Sequence, residues 1–259
     1  MKALKIQTAA YLLFQGLFFL LGTKEASAHA RTYVFNQEYR TLPQGTFEVE
    51  SHTEFEVPDR HQTNDNEFTY EGEVEYGVTD RWNISNYQKW VTENHAGYDD
   101  DGLPAKDSTR YHGFKFESKY RIGEKGKYFV DPLLYVEWAT DPTKQDNKNS
   151  IESKIVLSKD FDKLNVVYNQ VMENELGGGG RTTHEYTFGF NYEVLESLRL
   201  GMEAEGTYWT PSSNRNEIAM GPVGAYEGRY FWVAIGALFG VNHAANDVEA
   251  RISVGVPIG

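Results

Sequence analysis

The chain has 259 residues, is 40% hydrophobic and 14% aromatic, contains no cysteine and carries a formal charge of −13. The missing cysteine excludes a disulfide framework, a thiolate zinc site, a cysteine nucleophile and a lipid anchor on cysteine, and the acidic balance argues against nucleic acid, which selects basic faces. A mean hydropathy of −0.58 argues against a bundle of membrane helices, but not against a membrane barrel, whose polar lumen face dilutes the average.

In chain order, Lys2 and Lys5 precede an apolar run from Ala9 to Leu21, and Ala26-Ser27-Ala28 or Ala28-His29-Ala30 offers small residues for cleavage. Residues 1–30 therefore read as a cleaved secretory signal peptide. Their removal takes away three Lys and one Glu, which leaves the remainder two charges more negative. Residues 31–44 form a polar and aromatic lead-in that ends in a turn at Pro43 and Gly45. It is expected as a periplasmic segment that lies along the barrel rim or tucks into the lumen.

From residue 45 to 259 the dominant signal is period two. Phe47, Val49, Ser51, Thr53, Phe55 and Val57 alternate with Glu48, Glu50, His52, Glu54 and Glu56. Phe68, Tyr70, Gly72, Val74 and Tyr76 alternate in the same way with Glu67, Thr69, Glu71, Glu73 and Glu75. Such alternation means strands with one apolar and one polar face. Further strands are expected at 81–91, 110–122, 127–138, 150–159, 163–173, 183–194, 198–209, 216–226, 230–241 and 246–258. Twelve strands of this length exceed the globular average and suit a tilted crossing of a bilayer.

The connections alternate between long (58–66, 92–109, 139–149, 174–182, 210–215, 242–245) and short, the latter centred on Thr79-Asp80, Gly123–Gly126, Asp160–Asp162, Leu195–Ser197 and Glu227–Arg229. Segregated loop lengths point to a bacterial outer-membrane barrel with periplasmic termini. Aromatics fall into two belts. Tyr76, Trp82, Tyr120, Tyr128 and Tyr192 lie near one end of the strands, and Phe55, Phe68, Tyr70, Trp90, Phe114, Trp138, Tyr186 and Tyr208 near the other. The expected fold is all-β, a 12-stranded antiparallel transmembrane up-and-down barrel.

Two stretches carry a resemblance. Tyr33-Val34-Phe35, Thr41-Leu42-Pro43-Gln44-Gly45 and Glu48-Val49-Glu50 are similar to the start of Gram-negative outer-membrane β-barrels of porin-like type. Gly221-Pro222, Tyr226 and Phe231-Trp232 resemble late strands of outer-membrane transporters of an uncharacterised family. The resemblance implies export to the outer membrane and a channel role. One departure is the end of the chain, where Pro257-Ile258-Gly259 stands in place of the usual terminal aromatic residue.

With Phe47 and Phe68 facing lipid, Glu48, Glu50, Glu54, Glu56, Glu67, Glu71, Glu73 and Glu75 face the lumen, where neighbouring like charges need an offset. Arg81, Lys89, Lys115, Lys119 and Arg121 share the inward phase of the next strands, and Lys154, Arg199 and Arg251 come from elsewhere around the barrel. The expected pore lining is thus the eight glutamates with Arg81, Lys115, Lys119, Arg121, Arg199 and Arg251. Its acidic excess predicts preference for cations. Phe129, Leu133, Tyr135, Val167 and Val171 are expected to form an apolar patch inside, and strand eleven is apolar on both phases. The phase of strand ten is open, and outward Asn86 and Gln88 predict a bulge.

These readings favour a porin-like channel for small solutes or cations, with outer-membrane lipid as its surroundings and any protein partner unknown. Two alternatives stay open. One is a sealed structural or docking barrel that binds through its loops or N-terminal segment, and the other is a soluble periplasmic barrel. No catalytic residue, cofactor or metal is expected. Outer-membrane phospholipases place a Ser two residues after the catalytic His, whereas His112 and His184 are followed there by Phe114 and Tyr186. Asp99-Asp100-Asp101 reads as a solvated acidic loop, and Gly177–Gly180 as a flexible external one.

Overall fold

A computed structural model describes residues 30–62, 65–94, 108–141, 148–177, 180–209 and 216–258. Residues 1–29 of the signal segment, Asp99–Asp101, Gly178–Gly179 and the 210–215 connection lie outside the described residues. Twelve strands run β1 (Phe47–Val57), β2 (Asn66–Thr79), β3 (Trp82–Asn94), β4 (Ser108–Arg121), β5 (Asp131–Asp141), β6 (Lys148–Phe161), β7 (Leu164–Leu176), β8 (Thr182–Leu195), β9 (Leu198–Trp209), β10 (Glu217–Glu227), β11 (Trp232–Gly240) and β12 (Val248–Ile258). Each pairs antiparallel with its sequence neighbours, and β1 pairs β12 to close the barrel. Closure leaves no unpaired strand edge, the condition for β-structure in lipid.

Register fixes the faces. Phe55 lies opposite Phe68, and Glu50 opposite Glu73, so the alternation in each strand agrees with that of its neighbour. The outward side is apolar around the barrel: Val74, Val136, Ile155, Leu200 and Ile235 are each at least 45% exposed. Apolar area on this scale facing outward calls for lipid rather than water. Outward aromatic neighbours pair across strands, with ring centroids 4.6 Å apart for Phe47 and Tyr76 at the short-turn end. At the long-loop end Phe55 and Phe68 are 4.6 Å apart and Phe114 and Trp138 5.5 Å.

Three sequence expectations change. The β4–β5 connection spans 122–130, and β5 begins at Asp131 rather than 127. Gly123 and Gly126 sit at positive φ (90° and 77°), and the Asp131 carboxylate accepts the Gly126 N–H at 2.7 Å. Phe129 is therefore no part of the inner apolar patch. It is 88% exposed in a turn beyond the strands, while Leu133, Tyr135, Val167 and Val171 are buried inside.

The second change is the bulge, which lies in β4. There the register slips between Gly113 and Tyr111, opposite Lys89 and Trp90, with Gly113 at φ 103°. Asn86 and Gln88 keep their outward phase and are satisfied. Asn86 donates to the Lys115 carbonyl at 3.2 Å, and Tyr111 donates its hydroxyl to Gln88 at 2.7 Å. Third, the phase of β10 is settled: Ala219, Val223 and Ala225 are buried inward, while Met220 and Tyr226 point outward.

The lead-in occupies the lumen. At the short-turn rim Gly45, at φ 81°, donates its N–H to the Gly77 carbonyl at 2.8 Å. Upstream of this reversal the chain climbs inside the barrel. Tyr33, Val34, Tyr39 and Leu42 are at most 7% exposed. Tyr33 and Tyr39 pack with Leu133, Tyr135, Val156 and Val167, and Val34 packs with Val223, Ala225, Trp232 and Ala234 on the opposite wall. The greasy inner strips of β5–β7 and β10–β11 are thus the walls that the lead-in packs against.

Candidate functional site

The site is the lumen together with the segment inside it. At its apex the lead-in presents consecutive backbone N–H groups to one carboxylate. Glu203 of β9 accepts from Val34 at 2.6 Å, Phe35 at 2.8 Å and Asn36 at 2.7 Å, and from the Asn36 side-chain amide at 2.7 Å. Buried N–H groups without strand partners need an acceptor, and a carboxylate is the strongest available. Asn169 and Thr187 donate to Asn36 Oδ1 at 2.9 and 2.6 Å. Arg251 donates to the Val34 carbonyl at 3.2 Å and lies over the Phe35 ring at 4.9 Å. Lower down, the Tyr33 hydroxyl donates to Asn165 Oδ1 at 2.8 Å, and that of Tyr39 to the Gly123 carbonyl at 2.8 Å.

Close approach requires glycine at one contact in particular. A Cβ added at Gly189 on β8 would stand 2.7 Å from Tyr33 Cε1. The lumen wall is therefore shaped for this segment as well as hydrogen-bonded to it.

The lead-in also carries charge to the acidic wall. Arg40 pairs with Glu48 and sits 3.9 Å from Glu50, and Arg31 is 4.0 Å from Glu50. Burial opposes the charge on Arg40, but Glu48 and then Glu50 outweigh it and push its pKa upward. Lys119 joins Glu75 at 2.5 Å and Glu117 at 3.5 Å. Glu48, Glu50, Glu73 and Glu75 are at most 2% exposed, so half of the acidic ladder is closed off beneath the lead-in.

Among the described residues a cavity lies on each side of the segment. The upper one, toward the long loops, has about 340 Å³ and touches Arg31 and Val34–Gln37. Its charged walls include Glu54, Glu56, Glu71, Glu117, Glu137, Glu152, Glu185 and Glu205 against Arg31, Lys89, Lys115, Lys154 and Arg251. The lower one, toward the short turns, has about 510 Å³ and touches Thr32 and Glu38–Thr41. Glu38, Asp80, Asp160 and Glu227 there face Arg40, Arg121, Lys125 and Arg199. By formal count the lining of the upper chamber holds eight carboxylates against five Lys and Arg side chains, and that of the lower one four against four. Within the upper chamber, Lys115 bridges Glu71 at 3.0 Å and Glu137 at 3.6 Å, and Arg251 holds Glu54 through Nε at 2.7 Å.

Of the residues expected to line a pore, Glu54, Glu56, Glu71, Lys115 and Arg251 border the upper chamber, and Arg121 and Arg199 the lower. Glu48, Glu50, Glu73, Glu75 and Lys119 sit in the sealed layer between them. Glu67 stands near the long-loop end of β2, where Thr69 donates to it at 3.3 Å. Arg81 is in the β2–β3 turn, 3.8 Å from Glu124, with a side chain 44% exposed. The sequence pattern alone does not single out Glu203 as the acceptor for the lead-in, nor Arg31 and Arg40 as the missing cations. The uncompensated acidity was the signal for both.

No protein-family model and no curated protein sequence matches the chain. Among solved structures, an outer membrane channel from Pseudomonas putida F1 superposes with a TM-score of 0.61 at 11% identity, covering 87% of this chain and 100% of that one. The NanC porin gives a TM-score of 0.54 at 11% identity over 81% of this chain and 98% of its own. The KdgM porin, solved in complex with disordered oligogalacturonate, gives 0.51 at 12% identity over 82% and 98%. At such identities the likeness is one of fold: this chain shares with those outer-membrane channels and porins a closed antiparallel β-barrel, here of twelve strands.

Proposed function

We propose that the protein is an outer-membrane diffusion channel whose path is constricted at mid-height by its own N-terminal segment and whose upper mouth prefers cations. The observation that carries this reading is the division of the lumen by residues 30–41 into two chambers, the upper one acidic. A barrel serving only as a scaffold gains stability by filling its interior, and small barrels do so with side chains. Here cavities of about 340 and 510 Å³ persist on both sides of the segment, each far larger than the ~30 Å³ share of one water. The formal excess of three carboxylates over cations in its lining supports a preference for cations over anions in a low-dielectric tube. The short-turn end and the lead-in face the periplasm in this reading, with the long loops outside.

Planar-bilayer recording of the refolded protein tests it. The full chain should give small steps with a reversal potential of cation-selective sign in a potassium chloride gradient. Removal of residues 31–41 should enlarge the steps. Absence of steps from both proteins would leave the sealed, partner-docking barrel as the better reading, and anion selectivity would remove the acidic-mouth mechanism alone.

A further inference from the structure

We propose that Glu50, His52 and Glu73 form a site for one divalent transition-metal ion of the zinc type, set into the floor of the upper chamber. The register builds the triad. Residues 50 and 52 share the inward face of β1, and Glu73 of β2 lies directly opposite Glu50. Their ligand atoms lie within 4.8 Å of one another, and all three side chains are buried. His52 Nε2 stands 3.1 Å from Glu73 Oε2 and 3.5 Å from Glu50 Oε2. Those separations match the edges of a tetrahedron around an ion with ligand bonds of ~2.0–2.1 Å.

The first independent observation is hydrogen-bond deficit. Both oxygens of Glu50 and Oε1 of Glu73 are buried without a hydrogen-bond partner, in side chains 2% and 1% exposed. A buried carboxylate in that condition is costly unless a cation supplies the missing contacts. The second is charge. Arg40 and Lys119 engage Glu48 and Glu75, while Arg31 and Arg40 stay 4.0 and 3.9 Å from Glu50, beyond hydrogen-bond reach, so Glu50 and Glu73 are two carboxylates that share one remaining cation, Arg31, and a bound divalent ion would offset the excess.

The third is orientation. His52 Nδ1 lies 2.9 Å from Ser253 Oγ of β12. The Ser253 hydroxyl can accept Nδ1–H when Nε2 gives its lone pair to a metal, the arrangement that fixes imidazole ligands around metals. An imidazole with two carboxylates selects an ion of zinc type over calcium, which takes oxygen ligands. His52 also borders the upper chamber, which gives the ion an entry path. A second carboxylate triad, Glu48, Glu50 and Glu75, is already engaged by Arg40 and Lys119 and lacks a nitrogen donor.

The test is Zn²⁺ titration of the untagged, refolded full chain after chelator treatment, read by competition with a chromophoric chelator. His52→Gln, Glu73→Gln and Ser253→Ala are run beside it, and folding of each is checked by heat-dependent gel migration. The expected result is one Zn²⁺ per barrel. The ligand variants should lose about 100-fold or more in affinity and Ser253→Ala about 10-fold. Thermal unfolding of the wild type should shift upward with Zn²⁺, and that of His52→Gln should not. Lack of stoichiometric Zn²⁺ uptake by the folded wild type would overturn the proposal, as would uptake unchanged in folded His52→Gln. Equal affinity for Ca²⁺ would overturn it as well.

Discussion

Glu203→Ala should release the lead-in from the lumen, and the size of the effect follows from the contacts it removes. The wild-type carboxylate accepts three backbone N–H bonds and one from the Asn36 amide, at 2.6–2.8 Å. Alanine leaves four donors without that acceptor, each costing about 1–3 kcal/mol where water does not replace it. The upper chamber touches this part of the segment, so water recovers part of the loss, and the net cost comes to about 3–4 kcal/mol. At 1.4 kcal/mol per factor of ten, the undocked population rises roughly 10²–10³-fold.

The absence of natural cysteine makes the assay direct. Val34, only 2% exposed between the lead-in and β10–β11, is replaced by Cys in both the wild-type and the Glu203→Ala background. Its reaction with a water-soluble maleimide is then timed. When opening is fast relative to labelling, the rate follows the open population, so the alanine background should react about 10²–10³ times faster. Glu203→Gln, which keeps one carbonyl acceptor, should fall between them. Rates within about threefold in all backgrounds would refute the argument that this carboxylate holds the segment.

Three further outcomes are expected. Gly189→Val places side-chain atoms where Tyr33 Cε1 stands 2.7 Å from an ideal Cβ; overpacking costs about 1–3 kcal/mol and should accelerate labelling of the same Val34→Cys probe. Ile155→Arg puts a charge on an outward position 51% exposed near the middle of β6, and should lower unfolding free energy in lipid vesicles by about 2–4 kcal/mol. A penalty near zero there would remove the lipid-facing assignment of that side. Replacing Glu56 and Glu185 together by Gln takes two carboxylates from the upper chamber and should reduce the cation-to-anion permeability ratio about twofold or more; an unchanged ratio in a conducting protein would place the selectivity elsewhere.

How much of this was legible in the sequence differs between wall and lumen. Strict alternation of Phe47–Val57 and Phe68–Tyr76 determines faces, because a one-residue slip would turn every glutamate to lipid. That constraint carries around the barrel and delivers twelve strands in the expected order. It fails at β5, where Tyr128 and Phe129 continue the aromatic pattern but Gly123, Gly126 and the Asp131 carboxylate bend the chain away. Pattern reports the side on which a residue would lie in a strand, and turn geometry decides whether the strand exists. It is silent at β10, where apolar residues fall on both phases (Ala219, Val223 and Ala225 on one, Ile218, Met220 and Tyr226 on the other) and packing against Val34 marks the inside. The lead-in has neither period. Its place depends on contacts more than a hundred residues away, such as Tyr33 to Asn165 and Val34 to Glu203, which local signals do not encode.

In the proposed channel the acidity of the chain would therefore have two separate physical uses at different depths. Twelve strands enclose a lumen between the size that side chains fill and the size that stays an open channel. An entering peptide segment partly fills such a space, but it brings backbone N–H groups that have left every sheet and helix behind. Those groups need acceptors, and Glu203 and Glu38 supply them to Val34–Asn36 and to Thr32 and Tyr33. The segment also brings Arg31 and Arg40, which are tolerated inside only against carboxylates already in place. Carboxylates in the middle of the wall are thus the requirement for docking this particular lead-in. The carboxylates that the lead-in does not engage are concentrated above it, around the upper chamber, and these are the ones a passing cation would meet. Neutralising the sealed layer and neutralising the chamber should therefore have different consequences, the first for the position of the segment and the second for the sign of the current.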